Sequence, residues 1–205
     1  MSSERQSSPN ESPVQVKYQD KSAIARFANR KFFQTILSLT RGLAFDSVLD
    51  AGCGEGIPLA LLAGQRSMDR AVGFDLDIER VRLARRDASA ADFLVSNVQS
   101  LSFESDSFDL ILSLETLEHV GYPERALQEY ARVARRYVLL SVPHEPWWRL
   151  GNMARLKYLR QWGNTPGHIN HWSRGGFQRQ VGKYFKVLRV ANPFLWTFVL
   201  AEKTR

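Results

Sequence analysis

The chain has little that could hold its fold together covalently or anchor it in a membrane. Cys53 is its only cysteine, so an intrachain disulfide and a cysteine metal cluster are both excluded. No stretch approaches the roughly 18 to 20 uninterrupted apolar residues of a membrane-spanning helix, and residues 1–13 lack the apolar stretch of a secretory signal. We therefore expect a soluble, cytoplasmic protein that is stabilised by packing alone.

Acidic residues are also outnumbered, with 21 Asp and Glu against 28 Lys and Arg and a net charge of +7. Such a balance favours an acidic partner such as nucleic acid or an anionic membrane face. The cations are spread along the chain, however, and their densest group, Arg80, Arg82, Arg85 and Arg86, falls in a predicted surface helix. A solvated helix face explains this group most simply, so nucleic acid is not expected as a partner.

The length and composition predict one domain. The chain has 205 residues, of which 44% are hydrophobic, enough for one core of ordinary domain size. Residues 1–20 are rich in serine and poor in apolar side chains, which predicts a flexible amino-terminal arm. We expect residues 21–205 to form the single domain, with an insert at about 143–172 that covers the substrate.

Short apolar runs alternate with helical patterns along most of the domain. The predicted strands are Ser47–Asp50, Ala71–Asp75, Phe93–Ser96, Phe108–Leu114, Tyr137–Val142, Lys186–Val190 and Trp196–Ala201. The predicted helices are 21–40, Ile57–Gln65, Ile78–Ala88, Pro123–Ala134 and Ser173–Tyr184. The alternation predicts an α/β fold of three αβα layers, with a doubly wound, seven-stranded, mostly parallel sheet. The last two strands should form an antiparallel hairpin, because only residues 191–195 separate them.

The segment from Asp50 to Gly56 has the features of a nucleotide-binding loop. A buried strand ends in three alternate glycines, Gly52, Gly54 and Gly56, and a helix follows. Glycine lets the backbone approach a ligand closely, and the helix amino terminus offers free amide donors. A tight turn without a ligand would have the same glycines. The next strand ends in Asp75, however, about 20 residues further on, where a carboxylate can bind both ribose hydroxyls. Ile57 stands where a dinucleotide-binding loop has its last glycine, which disfavours NAD.

Taken in order, four segments resemble the class I S-adenosylmethionine (SAM)-dependent methyltransferases, close to the type 11 and quinone-biosynthesis group. They are the Asp50 to Gly56 loop, the acidic strand end at Asp75, the segment Ser96 to Phe103, and Phe108 to Ser113 with Leu117-Glu118-His119-Val120. The resemblance implies a Rossmann-like fold, SAM as cofactor and S-adenosylhomocysteine as product. It covers about residues 47–142 well and the rest in outline.

The resemblance also implies roles for individual residues. Gly52 and Gly54 would approach the methionine part of SAM, Asp75 would hold the ribose, and Leu76 would border the adenine. Asn97 and the backbone of Val98 would face the adenine edge; the family usually has Asp at position 97, and the amide oxygen of Asn can still accept a hydrogen bond. The complete implied cofactor set is Asp50, Gly52, Gly54, Gly56, Asp75, Leu76, Asn97, Val98 and Ser113.

Methyl transfer is an in-line displacement, so the protein mainly aligns the reactants and, for oxygen acceptors, takes a proton. His119 follows the fourth strand together with Glu115, and His144 follows the fifth together with Glu145. His168 and His171 lie in the insert. We take His168 as the preferred base, with His119 and His144 as the other candidates, although each could instead order a loop. No tight metal-ligand spacing connects these residues, so no metal is expected.

Residues 147–162 form the most unusual stretch. On a helical wheel most of their aromatic side chains fall toward one side and most of their basic side chains toward the other. An amphipathic lid is predicted, which would pack on the domain or make transient contact with a membrane surface. We expect the enzyme to methylate an oxygen, or failing that a nitrogen, of a small-molecule or lipid-linked metabolite. Two alternatives remain open at this stage, an RNA methyltransferase and a SAM-binding partner subunit without its own turnover. The sequence does not indicate an oligomeric state.

Overall fold

The computed structural model describes residues 23–88, 91–145 and 167–204. The strands in these ranges are β1 (Ser47–Ala51), β2 (Arg70–Asp75), β3 (Asp92–Val95), β4 (Phe108–Leu114), β5 (Ala134–Pro143), β6 (Phe185–Ala191) and β7 (Trp196–Lys203). The helices are α1 (Ala23–Thr40), α2 (Ile57–Ala63), α3 (Ile78–Asp87), α4 (Pro123–Val133) and α5 (Arg174–Val181), and a 3₁₀ turn spans Leu117–His119.

The seven strands form one sheet in the order β3-β2-β1-β4-β5-β7-β6. The first five are parallel, and β7 runs antiparallel to both β5 and β6. The strand order reverses between β1 and β4, so the loops after these strands meet at one edge of the sheet. In open α/β sheets this switch point is where ligands bind. The predicted fold class and the antiparallel end are confirmed.

Two apolar layers enclose the sheet because adjacent strand residues point to opposite faces. On one face, Val48 of β1 packs with residues of α1, α2 and α3. On the other face, Leu49 packs with residues of α4 and α5. All five residues of β1 are buried, as expected for the centre of a doubly wound sheet. The core therefore holds the carboxyl end of β1 in a fixed position.

The start of α1 differs from the prediction. In the sequence, Ile24, Phe27, Phe32, Ile36 and Leu39 recur near one face of the predicted helix 21–40, which predicts that this face is buried. The side chains of Ile24 and Phe27 are nevertheless 59% and 50% exposed. The buried side of α1 instead consists of Ala28, Phe33, Ile36, Leu39 and Thr40. The helix is therefore buried mainly over its later turns.

The predicted arm and the predicted lid at 147–162 lie outside the described residues. The arginine-rich helix is confirmed as α3, a surface helix in which Arg82 pairs with Glu79 and Arg86 with Asp87. Among the described residues, no helix is long and apolar enough to cross a membrane.

Candidate functional site

The loop after β1 is fixed by hydrogen bonds to the neighbouring strand. The backbone N–H groups of Gly52 and Cys53 both donate to the carbonyl oxygen of Phe74, each at 2.8 Å. Gly52 has φ +81°, and a Cβ there would lie 2.6 Å from Cγ2 of Thr116. Only glycine fits this close approach, which brings the loops after β1 and β4 together.

Asp75 lies at the end of β2 with its carboxylate held by two backbone donors. Its Oδ2 accepts from the N–H of Gly54 at 2.9 Å, and its Oδ1 accepts from the N–H of Asp77 at 3.0 Å. These bonds fix the side chain on the wall of a cavity. Each carboxylate oxygen has a further lone pair, so Asp75 can still accept hydrogen bonds from a ligand.

That cavity has a volume of about 500 Å³, within the range of small-molecule sites. The predicted adenine contacts Leu76, Asn97 and Val98 all line it. Leu76 is 72% exposed, so an apolar side chain is available to a planar ligand. The Oδ1 atom of Asn97 accepts from the N–H of Gln99 at 2.9 Å. The amide oxygen that we expected to meet the adenine therefore already closes a turn.

A second cavity of about 270 Å³ adjoins the first, because Gly52, Arg80 and Glu115 line both. Asp50 and Trp196 also line the second cavity. The two cavities together form one site beside the loop after β1. The residues that they share include one acidic side chain, Glu115, and one basic side chain, Arg80.

Asp50 is only 1% exposed, and neither of its carboxylate oxygens has a hydrogen-bond partner among the described residues. Burial, with a smaller contribution from the charge of Asp75, raises the pKa of Asp50 to about 8. A buried carboxyl without a partner is costly. This arrangement favours a cationic ligand group at the second cavity.

Glu115 follows β4 with an unusual backbone. Its φ of +58° lies in the left-handed region, which is strained for a residue with a side chain. The indole Nε1 of Trp196 donates to Glu115 Oε2 at 2.7 Å, and Ser141 Oγ lies 3.5 Å from Oε1. The carboxylate is thus held at the junction of the two cavities. The sequence indicates Glu115 because it follows the fourth strand. The hydrogen bond from Trp196 was not predictable, because β7 is distant from β4 in the chain.

The candidate bases His119 and His168 come together, with ring centroids 4.8 Å apart in an edge-to-face arrangement. His119 lines the larger cavity. Its Nδ1 lies 2.9 Å from the carbonyl oxygen of Gly167, and because a carbonyl can only accept, Nδ1 carries the proton and Nε2 has the lone pair. His168 is 7% exposed and lines neither cavity. Burial, followed by the charges of His119 and His171, lowers the pKa of His168 to about 4. The structure therefore favours His119 over His168 as the base.

Glu118 lies beside these two rings. Its carboxylate is 1% exposed and has no hydrogen-bond partner among the described residues. Burial, with the charge of Glu115, raises the pKa of Glu118 well above its usual range. One ligand atom from each of Glu118, His119 and His168 lies within 4.8 Å of the others. One carboxylate and two imidazoles are a set that can hold a divalent metal, and sequence spacing gave no signal for it.

The loop that carries His168 is fastened to the 3₁₀ turn. The N–H groups of Ile169 and Asn170 donate to the carbonyl oxygen of Glu118 at 2.9 and 3.1 Å. Asn170 Nδ2 donates to the carbonyls of Leu117 and Val120 at 3.1 and 2.6 Å. Asn170 was missed by sequence analysis, and its role is to position the wall of the larger cavity.

Besides His168, three predicted site residues line neither cavity. The Ser113 hydroxyl is fully buried, 3.0 Å from the hydroxyl of Tyr130. Gly56 is the amino-terminal cap residue of α2. His144 is 6% exposed, and burial with the charge of Arg174 lowers its pKa. Ser113 and His144 are buried in the interior and Gly56 belongs to the turn that begins α2, which a linear motif does not reveal.

Part of the chain is similar to known methyltransferases. Residues 49–141 match a family described as a methyltransferase domain. Ubiquinone biosynthesis O-methyltransferase from Methylocella silvestris is 36% identical over 80 residues, which cover 36% of this chain and 29% of that protein. Norajmaline N-methyltransferase from Rauvolfia serpentina is 33% identical over 107 residues, which cover 48% of this chain and 36% of that protein. The chain thus spans about a third of the length of these curated relatives.

Solved structures agree on the fold. The magnesium protoporphyrin IX methyltransferase from Synechocystis PCC 6803, solved with bound S-adenosylhomocysteine (SAH), superposes with a TM-score of 0.68. The two chains are 19% identical, and the match covers 92% of each. At this identity the likeness concerns the fold.

Proposed function

We propose that this chain is a class I SAM-dependent methyltransferase, which the match of residues 49–141 to a methyltransferase domain supports, and that it transfers the methyl group of SAM to an oxygen, or failing that a nitrogen, of a small-molecule or lipid-linked metabolite. The observation that carries the proposal is the fixed carboxylate of Asp75. This carboxylate lies on the cavity wall and accepts hydrogen bonds from the N–H groups of Gly54 and Asp77. In this position it can also accept hydrogen bonds from both ribose hydroxyls of a nucleoside.

The two cavities suggest how the residues divide the cofactor between them. The larger one, with Asp75, Leu76 and Val98, would hold the adenosine. The smaller one, with Asp50 and Glu115, would hold the amino-acid end. SAM carries a sulfonium and an ammonium group, and the buried carboxyl of Asp50 would supply a negative charge to these cations when it releases its proton on SAM binding.

For an oxygen acceptor, His119 is the group that can take the proton. Its Nε2 has the lone pair, and the ring orientation is set by the bond to Gly167. SAM supplies the methyl group; as the acceptor oxygen gains it, the hydroxyl proton passes to Nε2 and SAH is left. We expect His119→Asn to lower kcat by a much larger factor than it weakens SAM binding measured by calorimetry.

A ligand series tests the binding part of the proposal by calorimetry. SAH and 5′-methylthioadenosine share the nucleoside, but the second lacks the amino-acid end. Asp75→Ala should weaken both ligands on the order of 100-fold, because two hydrogen bonds to a charged group are lost. Asp50→Asn should weaken SAH and spare methylthioadenosine. Asp92→Asn is the matched control, since Asp92 is an exposed carboxylate of β3 that lines neither cavity.

Absence of binding at millimolar SAM would contradict the proposal. The two alternatives have separate signatures. Tight SAM binding without transfer to a broad metabolite panel, together with a copurifying protein, would favour a partner subunit. Retention on RNA that weakens steeply with salt would favour an RNA methyltransferase.

A further inference from the structure

Apolar side chains are exposed together where α1 begins and where β6 turns into β7. Ile24 and Phe27 of α1 are 59% and 50% exposed, and Phe194 in the hairpin is 45% exposed. The rings of Phe27 and Phe194 are in contact edge to face, with centroids 6.0 Å apart. Two segments that are distant in the chain thus build one apolar patch.

The backbone at Phe194 is strained in a way that presents its ring to solvent. Its φ is +52°, a conformation that costs roughly 1 to 2 kcal/mol for a residue other than glycine. The turn is closed by the bond from the N–H of Trp196 to the carbonyl of Pro193 at 3.1 Å. Glycine would relieve this strain, but a large aromatic residue occupies the position instead. Strain retained at such a position points to a use for the side chain.

Every charged side chain in the two segments that form the patch is basic. The segments 23–40 and 185–195 contain no Asp or Glu, and their cations are Arg26, Arg30, Lys31, Lys186 and Arg189. Lys31 and Arg189 line the same surface groove. The Lys31 ammonium also lies 5.6 Å from the ring centroid of Phe27, so the charge borders the patch directly.

We propose that this aromatic and basic surface, formed by Ile24, Phe27, Lys31, Arg189 and Phe194, docks on an anionic phospholipid bilayer. Exposed aromatic and aliphatic side chains enter the headgroup region of a bilayer, and flanking cations bind its acidic lipids. A nucleic acid would use the cations but would leave the aliphatic side chain of Ile24 without a partner.

The position of the surface also fits this occupant. Asn29 and Phe32 of the same helix, and Trp196 just after the hairpin, line the smaller cavity. The ring centroids of Phe32 and Trp196 are 5.0 Å apart, so the helix and the hairpin that carry the docking surface also contribute neighbouring side chains to the cavity wall. Docking would bring the cavity close to the bilayer, and, if the proposed function holds, it favours a lipid-linked acceptor.

Cosedimentation with vesicles tests the inference without SAM or any acceptor, so its outcome is independent of the proposed function. The protein should bind vesicles of equimolar phosphatidylglycerol and phosphatidylcholine, bind weakly to phosphatidylcholine alone, and be released by salt. Phe27→Ser and Phe194→Ser should each weaken binding about tenfold or more, because each substitution removes a ring that would be buried in the bilayer. Lys31→Gln and Arg189→Gln should each weaken it about fivefold.

Leu83→Ser and Arg82→Gln on α3 are matched controls, since both positions are exposed and lie outside this surface. Circular dichroism and urea unfolding show that each variant is folded. If the wild type does not bind the anionic vesicles, or if the Phe27 and Phe194 variants bind them as well as the controls do, the inference is wrong. Equal binding by these variants would assign any membrane contact to another part of the chain.

Discussion

The buried carboxyl of Asp50 leads to a prediction about stability and pH. Its pKa is about 8 in the folded protein and near the ordinary value of 3.8 when the chain is unfolded. Between these values the folded state keeps a proton that the unfolded state has released. The free energy of unfolding therefore falls as pH rises from about 4 to 8, and the change levels off above pH 8.

The size of the effect follows from the same two values. Asp50 should lower the free energy of unfolding by up to about 1.4 kcal/mol for each pH unit, or roughly 4 kcal/mol between pH 4 and pH 7. Asp50→Asn removes the titrating group and retains its shape. Because Glu118 also has a raised pKa, the quantity to compare is the difference in slope between wild type and variant.

Urea unfolding at several pH values between 5 and 8, followed by circular dichroism, measures this slope. The wild type should lose stability across the range by several kcal/mol more than Asp50→Asn does. Cationic groups of SAM favour the ionised carboxylate, so SAM binding near pH 7 should release a proton, which calorimetry in buffers of different ionisation enthalpy detects. Equal slopes for the two proteins, or SAM binding without proton release, would show that the pKa of Asp50 is not raised in the folded protein.

Three further substitutions test separate parts of the structure. Gly52→Ala should destabilise the fold by about 2 to 5 kcal/mol and abolish SAM binding, through positive φ and the clash with Thr116; Gly54→Ala, whose Cβ would meet open space, should cost clearly less stability in the same urea titration. Burial would raise the pKa of Asp109, but hydrogen bonds from Ser47, from the backbone N–H of Asp46 and from Arg135 lower it to about 2. Its contribution of about 2 kcal/mol to the free energy of unfolding is present above pH 4 and is lost as pH falls towards 2. Asp109→Asn should therefore make the melting temperature less dependent on pH between 4 and 2. Glu118→Gln should change the melting temperature little, because burial opposes the charge of this carboxyl and raises its pKa, and the neutral amide has the same shape. If added divalent metal raises the melting temperature of the wild type but not that of Glu118→Gln, Glu118 is a metal ligand instead.

The fold was predictable because its signals are local. The buried run of β4 and the alternation of strands with helices read directly as a doubly wound sheet, and the short 191–195 connection required an antiparallel hairpin. The exposure of Phe27 was not predictable, since periodicity gives the face of a helix but not which of its turns are covered. That depends on contacts between distant segments.

The candidate site divides in the same way. Asp75 was found because a carboxylate at a strand end has a fixed relation to the loop after β1. The pairing of His119 with His168 and the bond from Trp196 to Glu115 join segments that are far apart in the sequence. Their geometry, and with it the choice of His119 as base, follows only from the folded chain.

A crystal structure with bound SAH is the most direct test of the central claim, that the cavity beside Asp75 binds the cofactor. We expect the ribose hydroxyls of SAH within hydrogen-bonding distance of the Asp75 carboxylate, its adenine beside Leu76 and Val98, and its amino-acid end near Asp50. Density for SAH elsewhere, or an empty cavity after soaking at millimolar SAH, would contradict it.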